Sequence, residues 1–470
     1  MSTVQSTVPG PKPANNIIEQ LQLGTEIGKD FLGSIQGGFK KYGDVWKLSF
    51  GNSHNFMFAH PDHYQQILLT QSDKFHKDHG YKDRQRGMAR FMGNGLVTSD
   101  GDFWKRQRKL IQPAFHAKRI EGYAEVMVDY TLAQMRNWRD GVRMDVAHEM
   151  AGLAYKIVTK SVFDVDGSRD ADRMEHIMKV FQESSNDQNS FIPVWVPTPN
   201  ELRKRRAIRD VDEMFYGLIA ERRAQGTDKG DLLSMLLEAR DDDNNGMTDE
   251  QVRDELVTLF MAGHETTANS LNWTFMLLSR NPHVREKLHE EVDRVLAGRA
   301  PTLADLRNLP YTEMVVKESM RLMPAVPVFG RAAIADVQVG DVLIPKGSSV
   351  NIFPIVTHRD PRWWGDDADV FRPERFEPEQ EKQIRKYAYI PFSTGPRVCI
   401  GNSFAMMEAR LLLATIVQRW TLELAPGQVV TPEALITLIP KGGLPMTAHA
   451  RRVSHAHAET MHEVREMSPA

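Results

Sequence analysis

The sequence predicts a mainly α-helical chain with a small β-rich side, an α+β class. Three observations carry this. Helical periodicity runs with few breaks from about residue 103 to 295, strand-like alternation is confined to residues 44–59 and to segments after Pro324, and no repeat of fixed period is present. In chain order, residues 17–42 read as helix. Residues 44–59 read as paired strands about the turn signal Gly51-Asn52, a sheet corner. Helices follow over Phe103–Leu110, Ala117–Trp138, Asp145–Phe163, Asp170–Gln182, Asn200–Gln225, Asp231–Asp241 and Thr248–Arg280. The polar stretch Arg240–Gly246 reads as a loop within the fold. A helix over Tyr311–Leu322 is stopped by Pro324, Val337–Ile344 and Ser348–Val356 read as paired strands around glycine turns, and Ser403–Trp420 is a last helix.

The chain has 470 residues, 41% hydrophobic and 26% charged, a composition that excludes disordered, collagenous and coiled-coil classes. Lysine and arginine total 59 against 62 acids, a formal charge of −3, which gives no overall case for nucleic acid or an anionic membrane as partner. The single cysteine, Cys399, excludes an intramolecular disulfide, a Cys-based zinc site and a four-thiolate iron–sulfur cluster, and points to a reducing compartment. Met1–Asn16 has no secretory pattern, so the expectation is a cytoplasmic protein with a flexible leader over 1–16 and a polar, loose tail over 449–470. Leu256–Leu278 comes nearest to a membrane span, but His264, Glu265, threonines and asparagines interrupt it, and a mid-bilayer charge costs about 2.5–3.5 kcal/mol.

Three constellations carry chemistry. The first lies in the long helix, which Thr248 and Gln251 open as a capping box and Asn281-Pro282 closes, a span of roughly 48 Å at 1.5 Å per residue. In its middle stand Ala262-Gly263-His264-Glu265-Thr266-Thr267, with a glycine costing up to about 1 kcal/mol relative to alanine and polar groups amid apolar turns. Thr266 can bond the Ala262 carbonyl and Gly263 can leave room for a small ligand, giving a polar notch in an apolar wall; a core helix with one satisfied glutamate is the alternative. A zinc peptidase motif fails because position 268 is Ala268. The second is Glu318 and Arg321, on one helical face at a spacing of three, with Arg375 as a candidate third member. The third is Phe392-Ser393-Thr394-Gly395-Pro396-Arg397-Val398-Cys399-Ile400-Gly401, where a cysteine just before a helix suits a metal ligand, a buried inert thiol being the alternative. One thiolate cannot hold zinc tetrahedrally, whereas one suffices as an axial haem ligand.

In this order and separation the three resemble the cytochrome P450 family of haem-thiolate monooxygenases. Its haem-loop pattern is complete at Phe392, Gly395, Arg397, Cys399 and Gly401. Its oxygen-binding helix pattern is met by Ala262-Gly263-His264-Glu265-Thr266, and its salt-bridged triad by Glu318, Arg321 and Arg375. The resemblance spans about residues 17–448 and implies a single helical prism enclosing haem b, so the three domains allowed by length alone are dropped. It further implies Cys399 as axial thiolate, Trp104, Arg108, Arg397 and Arg331 on the haem propionates, Phe392 near the sulfur, Thr266 as the group that steadies bound oxygen and a water, and Glu265 as the relay of protons from solvent. Met261, Ala262, Val326, Val328, Phe329 and the turn near Leu438 are the expected pocket, whose apolar character admits a fatty acid, terpenoid, steroid or aromatic substrate.

No flavin or dinucleotide motif accompanies these residues, so electrons are expected from a separate ferredoxin or flavodoxin with its reductase. Lys105, Arg106 and Lys109 could steer it, or form an ordinary solvated face; Arg203-Lys204-Arg205-Arg206 reads as a solvated face. A peroxygenase or isomerase of the same family, which typically lacks the acid or the threonine, and a non-catalytic haem sensor, which needs neither, are the alternative readings.

Overall fold

The computed structural model describes residues 8–116, 121–165, 171–184, 192–226 and 229–451. The starts of the helices expected from Ala117 and Asp170, part of the leader, and the tail beyond 451 lie outside the described residues.

Helices dominate, and several begin where the sequence places a cap. Asp145 accepts from Ala147 N–H ahead of Val146–Phe163, Thr198 from Glu201 N–H ahead of Pro199–Gln225, and Asp231 from Ser234 N–H ahead of Leu232–Glu238. The long helix Asp249–Arg280 opens on a full capping box, Gln251 N–H to Thr248 Oγ1 at 3.2 Å and Thr248 N–H to Gln251 Oε1 at 3.0 Å. Its apolar residues serve two cores. Val252–Met261 pack with Ala171–Ser184, Pro199–Gln225 and Leu232–Glu238, while Ala268–Leu278 pack with Ala124–Met135, Val146–Phe163, Pro310–Leu322 and Asn402–Val417. Residues 262–267 sit between the two, where neither core claims them.

The β-rich side is a five-stranded sheet in the spatial order Val45–Phe50, Ser53–Phe58, Ser349–Ile352, Phe329–Ala333, Phe75–His76. Chain segments nearly 300 residues apart meet there in a parallel pair, Phe58 opposite Ile352. A three-stranded sheet joins Val142–Asp145, Pro445–Ala450 and Trp420–Glu423, and a short pair joins Pro432–Ala434 to Leu438–Pro440.

Several local expectations are corrected. The helix read over 17–42 is two, Ile17–Lys29 and Phe31–Tyr42, because Asp30 leaves helical geometry and its carboxylate caps Gly33 N–H at 2.9 Å. Val337–Ile344 is a hairpin in itself, folded at Gly340 with φ of 54°, and pairs with nothing in Ser348–Val356. Only Ser349–Ile352 of that second segment is strand, since Pro354 opens the short helix Pro354–Thr357. The helix read over Ser403–Trp420 is Asn402–Val417, and Trp420 starts a strand.

Candidate active site

The notch between the two cores opens into a cavity of about 360 Å³. The long helix contributes Met261, Ala262, Gly263, Glu265, Thr266 and Thr267 to its wall, and the loop ahead of Asn402–Val417 contributes Phe392, Arg397, Cys399 and Gly401. Val326, Val328 and Phe329 complete an apolar stretch leading to Arg331. Leu438, read from sequence as a pocket residue, does not line it. That residue is fully buried and its carbonyl accepts from Trp273 Nε1 at 2.9 Å; Ile436 and Thr437, just before it, form the wall instead.

The cysteine loop is shaped by one glycine in particular. Gly395 has φ of 72°, and a Cβ there would fall 2.0 Å from the Leu68 carbonyl oxygen, so a side chain is excluded on both counts. Gly401, expected to permit a tight turn, has an ordinary φ of −93°, and its bareness matters because it lines the cavity. Cys399 N–H donates to the Phe392 carbonyl at 3.0 Å, which ties the two ends of the loop together. The surface of Cys399 that remains exposed faces the cavity it lines. Elsewhere protein crowds the sulfur, and this burial raises its pKa, opposed by the Gly401 N–H and the Arg108 charge.

Residues of the notch divide by direction. Thr266 Oγ1 donates to the Ala262 carbonyl at 2.7 Å, and Ser270 Oγ to the Thr266 carbonyl at 2.8 Å. His264 points out of the cavity: its Nε2 bonds the Ala151 carbonyl at 3.0 Å, its ring stacks on Phe260, and burial lowers its pKa to about 4. Gly263 lines the cavity, and a Cβ there would lie 3.5 Å from Val158 Cγ2, an ordinary contact, so helix packing alone does not require a glycine. Glu265 is surrounded by protein, and burial raises its pKa to about 7 against hydrogen bonds with Thr437 and Gln182. Thr437 Oγ1 lies 3.0 Å from Glu265 Oε1.

One edge of the cavity gathers buried cations. Lys77, Arg331 and Arg397 all line it, and loss of water pushes Lys77 well below its ordinary range, Arg331 down, and Arg397 to about 10. Asp100 answers part of this charge, bonding Arg397 Nη2 at 2.5 Å, and Asp78 lies near, its own carboxyl pulled toward the neutral form by burial. Three cations with so little compensation make a seat for an anionic group, and two carboxylates suit it. Lys77 and Asp100 were not legible from sequence, because the segments that bring them here carry no motif.

Trp104 and Arg108 do not reach the cavity wall. They stand behind the loop, where the Arg397 guanidinium lies 3.9 Å from the Trp104 ring centroid and Arg108 Nη1 donates to the Val398 carbonyl at 2.8 Å. The neighbouring basic residues are matched by acids: Lys105 with Asp102 at 2.9 Å, Arg106 with Asp241 at 2.6 Å, Lys109 with Asp242 at 2.7 Å. The steering patch read from sequence is thereby largely neutralised.

Beneath the cavity Glu318 and Arg321 are fully buried and joined at 2.7 and 2.8 Å; Arg375 Nε lies 3.4 Å from Glu318 Oε1, and the Arg372 N–H donates to the same oxygen at 2.9 Å. Arg321 also donates to the carbonyls of His358 and Ala368 at 2.7 and 2.6 Å, so the group ties Pro310–Leu322 to the segment between the sheet and the cysteine loop.

Residues 8–444 match the family model for cytochrome P450. The chain belongs to the cytochrome P450 family. It is 36% identical over 403 residues to cyclooctatin synthase of Streptomyces melanosporofaciens, with 84% of this chain and 87% of that one covered. Pentalenene oxygenase of Streptomyces avermitilis is 34% identical over 401 residues, covering 84% and 88%. Cyclooctat-9-en-7-ol 5-monooxygenase of Streptomyces melanosporofaciens is 33% identical over 417 residues, covering 87% and 89%. This cytochrome P450 is a monooxygenase, and the family implies haem held by a cysteine thiolate, O₂ and redox partners. The residues fit that cofactor: one cavity holds the chain's single thiol, a seat of cations that Asp100 and Asp78 compensate only in part, and apolar walls. Among the described residues no helix is long and apolar enough to cross a membrane.

Proposed function

We propose that this cytochrome P450 hydroxylates a terpenoid hydrocarbon or alcohol, using haem b with Cys399 as axial thiolate and electrons from a separate ferredoxin or flavodoxin with its reductase. The observation that carries the reading is the single cavity that joins Cys399 to Glu265 and Thr266 through apolar walls. The cysteine count supports haem b over a thioether-linked haem, since the only thiol is taken as ligand and none is left for such a link. When bound, haem supplies O₂ activation, with O–O cleavage favoured by thiolate ligation.

The chain's own residues do the rest. Lys77, Arg331 and Arg397 hold the propionates, relieved of their burial cost by the two negative charges, and Trp104 and Arg108 brace Arg397 and the loop from behind. Phe392 anchors the Cys399 backbone through its carbonyl. Met261, Val326, Val328 and Phe329 exclude water and orient an apolar skeleton by contact. Glu265, with a pKa of about 7, can hold a proton near neutral pH and release it from its carboxyl, which suits a general acid. Thr266, next in the chain, keeps its hydroxyl hydrogen on the Ala262 carbonyl and offers its lone pairs to a water near the reacting oxygen. A peroxygenase or isomerase has less use for this pair.

Of the substrate classes that an apolar cavity admits, the terpenoid class is carried over from relatives named for pentalenene and cyclooctat-9-en-7-ol. We further propose one catalytic unit over residues 17–448 working in the cytoplasm, where the ferredoxin or flavodoxin is reduced. The test has two parts. A panel of terpenoids, fatty acids, steroids and aromatics is screened by the shift of the haem absorbance on binding, and the best binder is then offered with NAD(P)H. Expected are terpenoid binders first, no product from the purified chain alone, and hydroxylated product once a ferredoxin or flavodoxin and its reductase are added. Product from NAD(P)H alone would refute separate electron supply, and fatty-acid-only binding would refute the substrate class.

A further inference from the structure

Thr437 is buried in the wall of the cavity, on the turn before Leu438–Pro440, and its hydroxyl has every hydrogen-bonding position filled. Gln182 Nε2 and Asn269 Nδ2 both donate to Thr437 Oγ1, each at 3.1 Å. Glu265 Oε1 lies 3.0 Å away. A hydroxyl has two lone pairs and one hydrogen. Both lone pairs are taken by amide N–H groups, so its one hydrogen goes to Glu265 Oε1.

The direction of the Gln182 amide is itself held: its Oε1 accepts from Ile436 N–H at 3.1 Å, which leaves Nε2 as the end facing Thr437. Asn269 turns its Nδ2 to the hydroxyl and its Oδ1 to Asn272 Nδ2 at 3.3 Å. Three elements thus converge on one oxygen: the helix Ala171–Ser184, the long helix Asp249–Arg280, and the turn at 435–437.

We infer that Thr437 is a positioning residue that holds Glu265 with Oε1 always as acceptor, so that the carboxyl proton is carried and released at Oε2 alone. This rests on the proposed role of Glu265. A free carboxyl can carry its proton on either oxygen and rotate; one whose first oxygen is pinned by a donor presents a single acidic site in a single direction. Glu265 gives up the proton at Oε2, becomes carboxylate with the Thr437 bond retained, and takes a proton back from water. Among the described residues no charged side chain contributes to the Glu265 shift; its causes are burial, Thr437 and Gln182. His264 on the same helix faces Ala151, and Glu408 on Asn402–Val417 bonds Thr267.

The test follows the Glu265 carboxyl by infrared difference spectroscopy on the purified haem protein across pH, with the carbonyl band of the protonated acid assigned by its loss in Glu265→Gln. Thr437→Val keeps the branched shape and removes the hydroxyl, so the carboxylate loses a donor. The midpoint of the band should rise by about one pH unit, as expected for a hydrogen bond to a charged group. Product formed per NAD(P)H should fall severalfold, with the pH profile of turnover displaced upward by the same amount. Thr437→Ser, which keeps the hydroxyl, should restore both. Should Thr437→Val fail to fold, Asn269→Leu frees a lone pair of the same hydroxyl without removing a direct partner of Glu265, and should broaden the band and move its midpoint. Unchanged midpoint and coupling in Thr437→Val, while Glu265→Gln abolishes the band and impairs turnover, would overturn the inference alone. Normal turnover and coupling in Glu265→Gln would overturn the role of Glu265 and this inference with it.

Discussion

Two glutamates of the interior, Glu318 and Glu265, are enclosed by protein and kept in opposite ways. Glu318 meets two guanidinium groups and a backbone N–H, and its partner Arg321 is in turn bound by main-chain carbonyls. Glu265 meets a hydroxyl and an amide, and no charge among the described residues contributes to its shift. A carboxylate persists in a dry core only when cations and N–H groups replace its water, whereas neutral partners let burial favour the proton. The first arrangement fixes a charge and fastens segments; the second makes a group that can change its charge during turnover.

The largest effect expected from this contrast is at Glu318. Glu318→Ala leaves Arg321 buried without its counter-charge, while Arg375 keeps Asp367 at 2.8 Å, and the cost is about 3–5 kcal/mol, comparable with much of a typical folding free energy. Soluble yield and the urea midpoint of any recovered protein should both drop sharply. A variant as stable as the parent would erase the distinction between the two glutamates.

Glu265→Gln should be nearly silent in stability and heavy in turnover. Losing a positioned general acid costs on the order of 10²-fold in rate, read as product per unit time at saturating substrate. Thr266→Ala should bind haem and substrate and still consume NAD(P)H, with less product for each equivalent. Coupling equal to the parent would assign the notch in the long helix another purpose.

Two further buried carboxyls sharpen the comparison through pH. Glu255, which accepts from Leu96 N–H and Gln107 Nε2, and Glu408, beside Thr267, are both raised by burial from the ordinary 4.5 to about 8. The folded chain keeps protons there that the unfolded chain releases, so this stabilisation is complete below about pH 4.5 and is lost as pH rises toward 8. Each group contributes a slope of at most about 1.4 kcal/mol per pH unit. Glu408→Gln should flatten the fall of the thermal midpoint between pH 5 and 8, and an unchanged slope would show that the folded carboxyl is already charged.

The smallest effect expected is at the surface. Charge reversal at Lys105 or Lys109 disturbs exposed pairs with Asp102 and Asp242 and should change stability by less than about 1 kcal/mol. Reduction by a ferredoxin should change little, because the local charge is already balanced. A large loss with peroxide-driven turnover intact would restore the patch as a docking site.

What sequence could show and what it could not separate along the same line. The capping box at Thr248, the bond from Thr266 to the Ala262 carbonyl, and the Glu318–Arg321 pair are local, set by spacings of three and four on a helix. The break at Asp30 is local too, but a capping aspartate inside a helical run looks like any polar helix residue until the backbone turns. Thr437, Gln182, Lys77 and Asp100 are placed by tertiary structure: Thr437 reaches across 172 residues to Glu265 and 255 to Gln182. Nothing in their neighbourhoods marks them, and the acids that neutralise Arg106 and Lys109 lie 135 and 133 residues downstream in a loop.

Everything proposed for this cavity depends on Cys399 being the ligand that holds haem in it. The most direct measurement is the absorption spectrum of the reduced, carbon-monoxide-bound protein, compared between the parent and Cys399→His. The parent should show the red-shifted Soret band of thiolate ligation, and Cys399→His should lose it in favour of the band seen with nitrogen ligands. A parent without the thiolate band, or a Cys399→His protein that retains it, would contradict the account.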